Sequence, residues 1–89
     1  MRYDPSNVEA HYDLGLVLSA LGESGAALRE FEVAVRLKPD FGLAHASMAE
    51  ILYDAGKYDD SWREVRAARA AHAEVNPELV TRLGARGWR

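Results

Sequence analysis

Three histidines, His11, His45 and His72, are the side chains of this 89-residue sequence best suited to hold a metal or move a proton. His11 and His45 each follow an alanine and stand 34 residues apart. That separation places them one structural unit apart, too far to share an ion. Neither has an Asp, His or Cys partner at ligand spacing, so no metal site is expected. Both read instead as packing residues at a helix–helix contact. The chain has no cysteine, which removes thiolate ligands, disulfides and thiol nucleophiles. Ser24 lies in the run Gly22-Glu23-Ser24-Gly25, a turn between helices with no base to activate its hydroxyl. No glycine-rich phosphate loop is present, and no cofactor is implied. These absences point away from an enzyme.

Charge narrows the classes further. Eleven basic and 14 acidic residues give a net charge of −3, which is not the footprint of a nucleic-acid binder. No apolar run approaches the roughly 20 residues of a membrane span, so no membrane association is expected. The default location is cytoplasmic. Arginine dominates lysine and alanine is abundant, the usage of a GC-rich and, by expectation, bacterial gene. Arg63, Arg66 and Arg69 recur every three residues, with Asp59, Asp60 and Glu64 beside them. Local ion pairing on a solvated helix is the expected fate of that strip.

The elements that position these residues come from a repeat. Pro5, Pro39 and Pro77 divide the chain at intervals of 34 and 38 residues, and shifting the chain by 34 aligns residues 8–41 with 42–75. Ala10-His11 falls on Ala44-His45, Leu18 on Leu52, Gly22 on Gly56, Ala27 on Ser61, Phe31 on Val65 and Ala34 on Ala68. Each unit reads as two helices. Ala10, Leu14, Val17, Leu18 and Leu21 form one amphipathic stripe, closed by Gly22. Ala27, Leu28, Phe31, Ala34 and Val35 form the next, stopped by Pro39. Ala44, Met48, Ile51, Leu52 and Ala55 lead to Gly56, and Trp62, Val65, Ala68 and Arg69 follow. Asn76 and Pro77 then open a fifth helix with Leu79, Val80 and Leu83 on one face. The expected spans are 7–21, 24–38, 42–55, 58–75 and 77–86, all α. Alternation of period two is never sustained.

Together these residues resemble the tetratricopeptide repeat, whose pattern is W-x2-L-G-x2-Y, then A-x3-F, then A, then P. In the first unit His11 takes the Trp place, Leu14-Gly15 matches, Leu18 replaces Tyr, and Ala27, Phe31, Ala34 and Pro39 match. In the second, His45, Met48-Ala49, Ser61, Val65 and Ala73 stand at the corresponding places. A generic pair of helical hairpins is the alternative. The resemblance implies an α-solenoid of antiparallel helix pairs wound into a right-handed superhelix, over 1–89 as one domain. Repeat one is 8–41, repeat two 42–75, and a capping helix spans 77–86. Residues 1–7 then correspond to the tail of a preceding repeat. The polar outer face of the last helix reads as a genuine end.

The family binds peptides on its concave side, so the resemblance implies a protein–protein interaction scaffold. By register the lining residues are Glu9, Tyr12, Asp13 and Leu16, with Leu43, Ala46, Ser47, Glu50 and Asp54, then Glu78, Thr81 and Arg82. Carboxylates beside an exposed tyrosine favour a basic or mixed peptide. The chaperone-tail carboxylate clamp of some relatives is not expected. Its places hold Tyr12, Leu16, Ser47, Glu78 and Arg82, of which only Arg82 has the chemistry. The first helix is apolar over more than half its surface and expects cover on more than one side. Either the chain is a fragment of a longer array or it self-associates, as a homodimer through Val8, Tyr12 and Leu16. A homo-oligomerisation module and a docking appendage of a larger enzyme are the rival functions.

Overall fold

A computed structural model describes residues 7–85. The expectations resting on Pro5, on residue 86 as the end of the last helix, and on residues 1–6 within the tail of a preceding repeat lie outside the described residues. Among the described residues five α-helices follow one another: α1 (Val8–Ala20), α2 (Ser24–Leu37), α3 (Gly42–Asp54), α4 (Tyr58–Ala70) and α5 (Pro77–Ala85). No strand occurs among the described residues. α1 packs on α2 and α3 on α4; α2 lies against α3, joining the two pairs, and α5 covers the end at α4.

Local chemistry fixes the helix ends. The Asn7 side chain accepts from the Ala10 N–H at 3.1 Å to start α1, and Asn76 accepts from the Glu78 N–H at 3.0 Å to start α5. α1, α3 and α4 finish in the same way. Gly22, Gly56 and His72 take φ of 82°, 80° and 61°. The amide of each bonds back three residues and the next amide bonds back five. This arrangement satisfies carbonyls the helix end would orphan. At His72 it overturns an expectation. α4 was expected to run to residue 75, but it stops at Ala70 because His72 swings the chain left-handed. The turn brings Ala71 and Ala73 onto Gly42. A Cβ there would lie 2.5 Å from the Ala73 Cβ and 3.0 Å from the Ala71 Cβ.

The core follows the small–large pattern. Ala27, Phe31 and Ala34 of α2 meet Ala44, Met48 and Leu52 of α3. Ala49 and Val65 meet Leu79 and Leu83. Phe31 needs the missing side chain of Gly15, whose Cβ would fall 2.6 Å from the Phe31 ring. Ser61 is fully buried, and its hydroxyl donates to the Ala49 carbonyl at 2.7 Å.

The expected stripe on α1 is corrected. Leu14, Val17 and Leu21 are 41, 55 and 71% exposed. The face turned inward is instead Val8, His11, Tyr12, Gly15 and Leu18. Both faces are apolar at helical spacing; Phe31 selects the one that contains glycine. Arg69 also leaves its expected stripe. It is exposed and stands over the half-buried Trp62 ring, 5.7 Å from its centroid.

Candidate peptide-binding surface

The first helices, α1 and α3, and then α5 present their polar sides in sequence. Leu16 on α1 and Ser47, Glu50 and Asp54 on α3 line a shared recess of about 360 Å³. Glu50 and Asp54 also border a recess of about 200 Å³ against α5, where Asn76, Glu78 and Arg82 form the far wall. Asp54 reaches a third recess, of about 340 Å³, walled by Leu28, Ile51 and Ala55 with Lys57 also on its lining. Leu16, Ser47, Glu50, Asp54 and Arg82 are thus brought along one continuous surface. Glu9 and Asp13 are exposed on α1 but line none of these recesses.

Hydrogen bonding divides the polar groups into engaged and open. Arg82 is bound to Glu78 one turn before it. The Asn76 amide donates to Glu50 at 3.3 Å. Ser47 donates to the Leu43 carbonyl at 3.1 Å, so its hydroxyl is turned onto its own helix. Thr81 does the same to Pro77 at 2.9 Å. Asp54 has neither a hydrogen-bond nor an ion-pair partner among the described residues, and it is exposed.

Tyr12 does not take the expected place. Rather than standing exposed, it is half-buried, with ring centroids 5.8 Å from Phe31 and 5.2 Å from Phe41. Val8 packs against the same core. Both are therefore withdrawn from the self-association face assigned to Val8, Tyr12 and Leu16; Leu16 remains 42% exposed. The aromatic beside the acidic recess is Tyr53, its ring 5.1 Å from Tyr58. Tyr53 is absent from the sequence expectation although it lies one turn after Glu50, and Asn76 enters there only as a helix cap.

The histidines are explained by partners that helical spacing does not reveal. His11 Nδ1 lies 2.7 Å from Glu30 Oε1, and His45 Nδ1 lies 2.5 Å from Glu64 Oε2. Each pair joins the two helices of one unit across 19 residues, and the second repeats the first 34 residues on. His45 Nε2 also faces the Pro39 carbonyl at 2.8 Å. No group of three metal-ligating side chains forms among the described residues.

No family model matches the chain. Similarity to known proteins comes instead from repeat-bearing chains. DnaJ homolog subfamily C member 3 of Homo sapiens is 31% identical over 75 residues, covering 84% of this chain and 15% of that protein. The tetratricopeptide repeat and J domain-containing co-chaperone DNJ1 of Cryptococcus neoformans is 28% identical over 80 residues, 90% of this chain and 15% of that one. Superkiller protein 3 of Saccharomyces cerevisiae is 34% identical over 61 residues, 68% of this chain and 4% of that one. The name of DNJ1 itself carries the tetratricopeptide repeat that the sequence pattern of this chain resembles. The chain is all-α, and its helix pairs are consistent with a tetratricopeptide-repeat-like fold. It spans less than a sixth of the length of the relatives it matches. The repeat-bearing relatives suggest a protein–protein interaction module.

Proposed function

We propose that the chain holds a segment of another protein along α1, α3 and α5, with a basic side chain of that segment over Asp54 and Glu50. The observation that carries this reading is Asp54. It is an exposed carboxylate without a partner among the described residues, and it borders three adjoining recesses. Leu28, Ile51 and Ala55 offer an apolar wall to the residue next to the basic one. Arg82 is already engaged by Glu78, so it does not cancel the acidic field. The test is capture of a labelled Lys/Arg-containing peptide by fluorescence anisotropy. Glu50→Lys with Asp54→Lys should abolish capture and leave helicity unchanged. Binding by the unmodified protein should weaken in salt, because exposed charges are screened beyond about 8–10 Å. Equal capture by both proteins would sink the reading.

A second reading, self-association, rests on a separate observation. Leu14, Val17 and Leu21 form an exposed apolar face on α1. Their equivalents one repeat on include Met48 and Ile51, which pack against the α2 cluster. The α1 face carries no charged residue at these places, so two copies can pair α1 with α1 without burying a charge. Light scattering across the micromolar to millimolar range should show a concentration-dependent mass, lost in Leu14→Glu/Val17→Glu. A monomer at every concentration ends this idea.

A further inference from the structure

Glu30 and Glu64 are drawn onto His11 and His45, away from the outer faces of α2 and α4. Arginine makes up most of the charge left exposed on those helices, with Arg29 and Arg36 on α2 and Arg63, Arg66 and Arg69 on α4; the exposed carboxylates Asp59 and Asp60 are confined to the first turn of α4. The local pairing expected for this strip is largely missing. Arg63 reaches Asp60 at 3.4 Å, an exposed contact of little strength. Arg29, Arg36 and Arg66 have no carboxylate partner among the described residues, and Glu32, between the first two in sequence, pairs with neither. For Arg66 the reason lies in the sequence: positions three and four away hold no Asp or Glu. Arg29 and Arg63 occupy the same place in successive repeats, so they lie on the same side of the molecule. The first-helix layer is opposite in sign, with Glu9, Asp13, Glu50 and Asp54.

We propose that the outer layer of second helices is an interaction surface for an acidic polypeptide segment, bound by Arg29, Arg36, Arg63 and Arg66. This surface is separate from the Asp54 groove. Arg29 and Arg36 are two helical turns apart, about 10.5 Å at about 1.5 Å per residue. A chain in the polyproline-II form rises about 3.1 Å per residue with three residues per turn, so carboxylates three residues apart share one face and stand about 9.3 Å apart, close to that interval. The guanidinium fork takes a carboxylate through two parallel N–H donors, which lysine does not. A nucleic acid or an anionic membrane would extend its charge well beyond this patch, against a chain of net charge −3.

The experiment is a titration of the protein against a labelled Glu-Pro-Pro repeat peptide, which holds the polyproline-II form with Glu at every third position. Three comparison probes are the same peptide with Gln for Glu, a single-stranded oligonucleotide, and phosphatidylserine vesicles. The Glu peptide should bind saturably and weaken at least about tenfold between roughly 0.05 and 0.3 M salt. Arg29→Gln/Arg66→Gln should also lose at least about tenfold, with Asp54→Asn binding as the unmodified protein does. Circular dichroism of each variant should be unchanged, since all three side chains are exposed. Absence of saturable binding, equal binding of the Gln peptide, tighter binding of the oligonucleotide or vesicles, or an equal loss in Asp54→Asn would overturn the proposal.

Discussion

Gly15 and Phe31 form a contact that the second repeat recasts as Ala49 and Val65: where one partner gains a methyl, the other loses its ring. Gly15→Ala should therefore lower stability by about 1–3 kcal/mol through overpacking, despite alanine's better helix propensity. Adding Phe31→Val should recover part of that loss, so a double-mutant cycle by thermal melts should show coupling. Additive effects would mean that the ring and the glycine do not meet. His72 is a second residue whose backbone decides its fate. Its φ of 61° suits glycine, and His72→Gly should raise stability by up to about 1 kcal/mol in denaturant titration. A loss would show that the imidazole contributes more than its backbone costs. The small residues of the repeat pattern were legible in the sequence: Ala27, Ser61, Ala34 and Ala68 are all fully buried. The Glu partners of His11 and His45 were not. A pair that bridges two helices depends on the length of the turn between them, which helical spacing does not encode.

The helices themselves were readable from period and punctuation, but which face of α1 turns inward was not. Two apolar stripes lie side by side on that helix, and the choice rests on a contact made in α2. The end of α4 was misread for a similar reason. No proline or glycine marks it, and a histidine adopts the left-handed turn that glycine takes at residues 22 and 56. α5 was legible from Asn76-Pro77 and the Leu79–Leu83 spacing. Its start depends on one side chain, so Asn76→Ala should cost about 0.5–2 kcal/mol by removal of the cap. Trp62 packs on the cluster that α5 closes, and its fluorescence should redden as the helix loosens. An unshifted spectrum with unchanged stability would mean that the cap is dispensable.

Across the whole molecule the 34-residue period specified the helix order, while the binding recesses were only partly foreseen. Leu16, Ser47, Glu50, Asp54 and Arg82 share a face by register. The recesses between them depend on how far apart the helices sit, and no residue pattern states that. The fold also biases charge, with acid on the first helices and arginine along the second beyond the Asp59-Asp60 turn, because histidines draw two carboxylates inward. One wall of the acidic groove, holding Asn76, Glu78 and Arg82, belongs to α5. Of its described residues that helix buries only Leu79 and Leu83. Its amides should therefore exchange with solvent deuterium well before those of α2 and α3. A ligand that touches both Glu50 and Arg82 finds its complete site only in molecules with α5 docked. Its apparent affinity is reduced by the undocked fraction, and its binding must in turn favour the docked state. Hydrogen–deuterium exchange should then slow in α5 when a groove-binding peptide is added, even at amides the peptide never touches. Protection confined to α3 would show that the groove functions without its last wall.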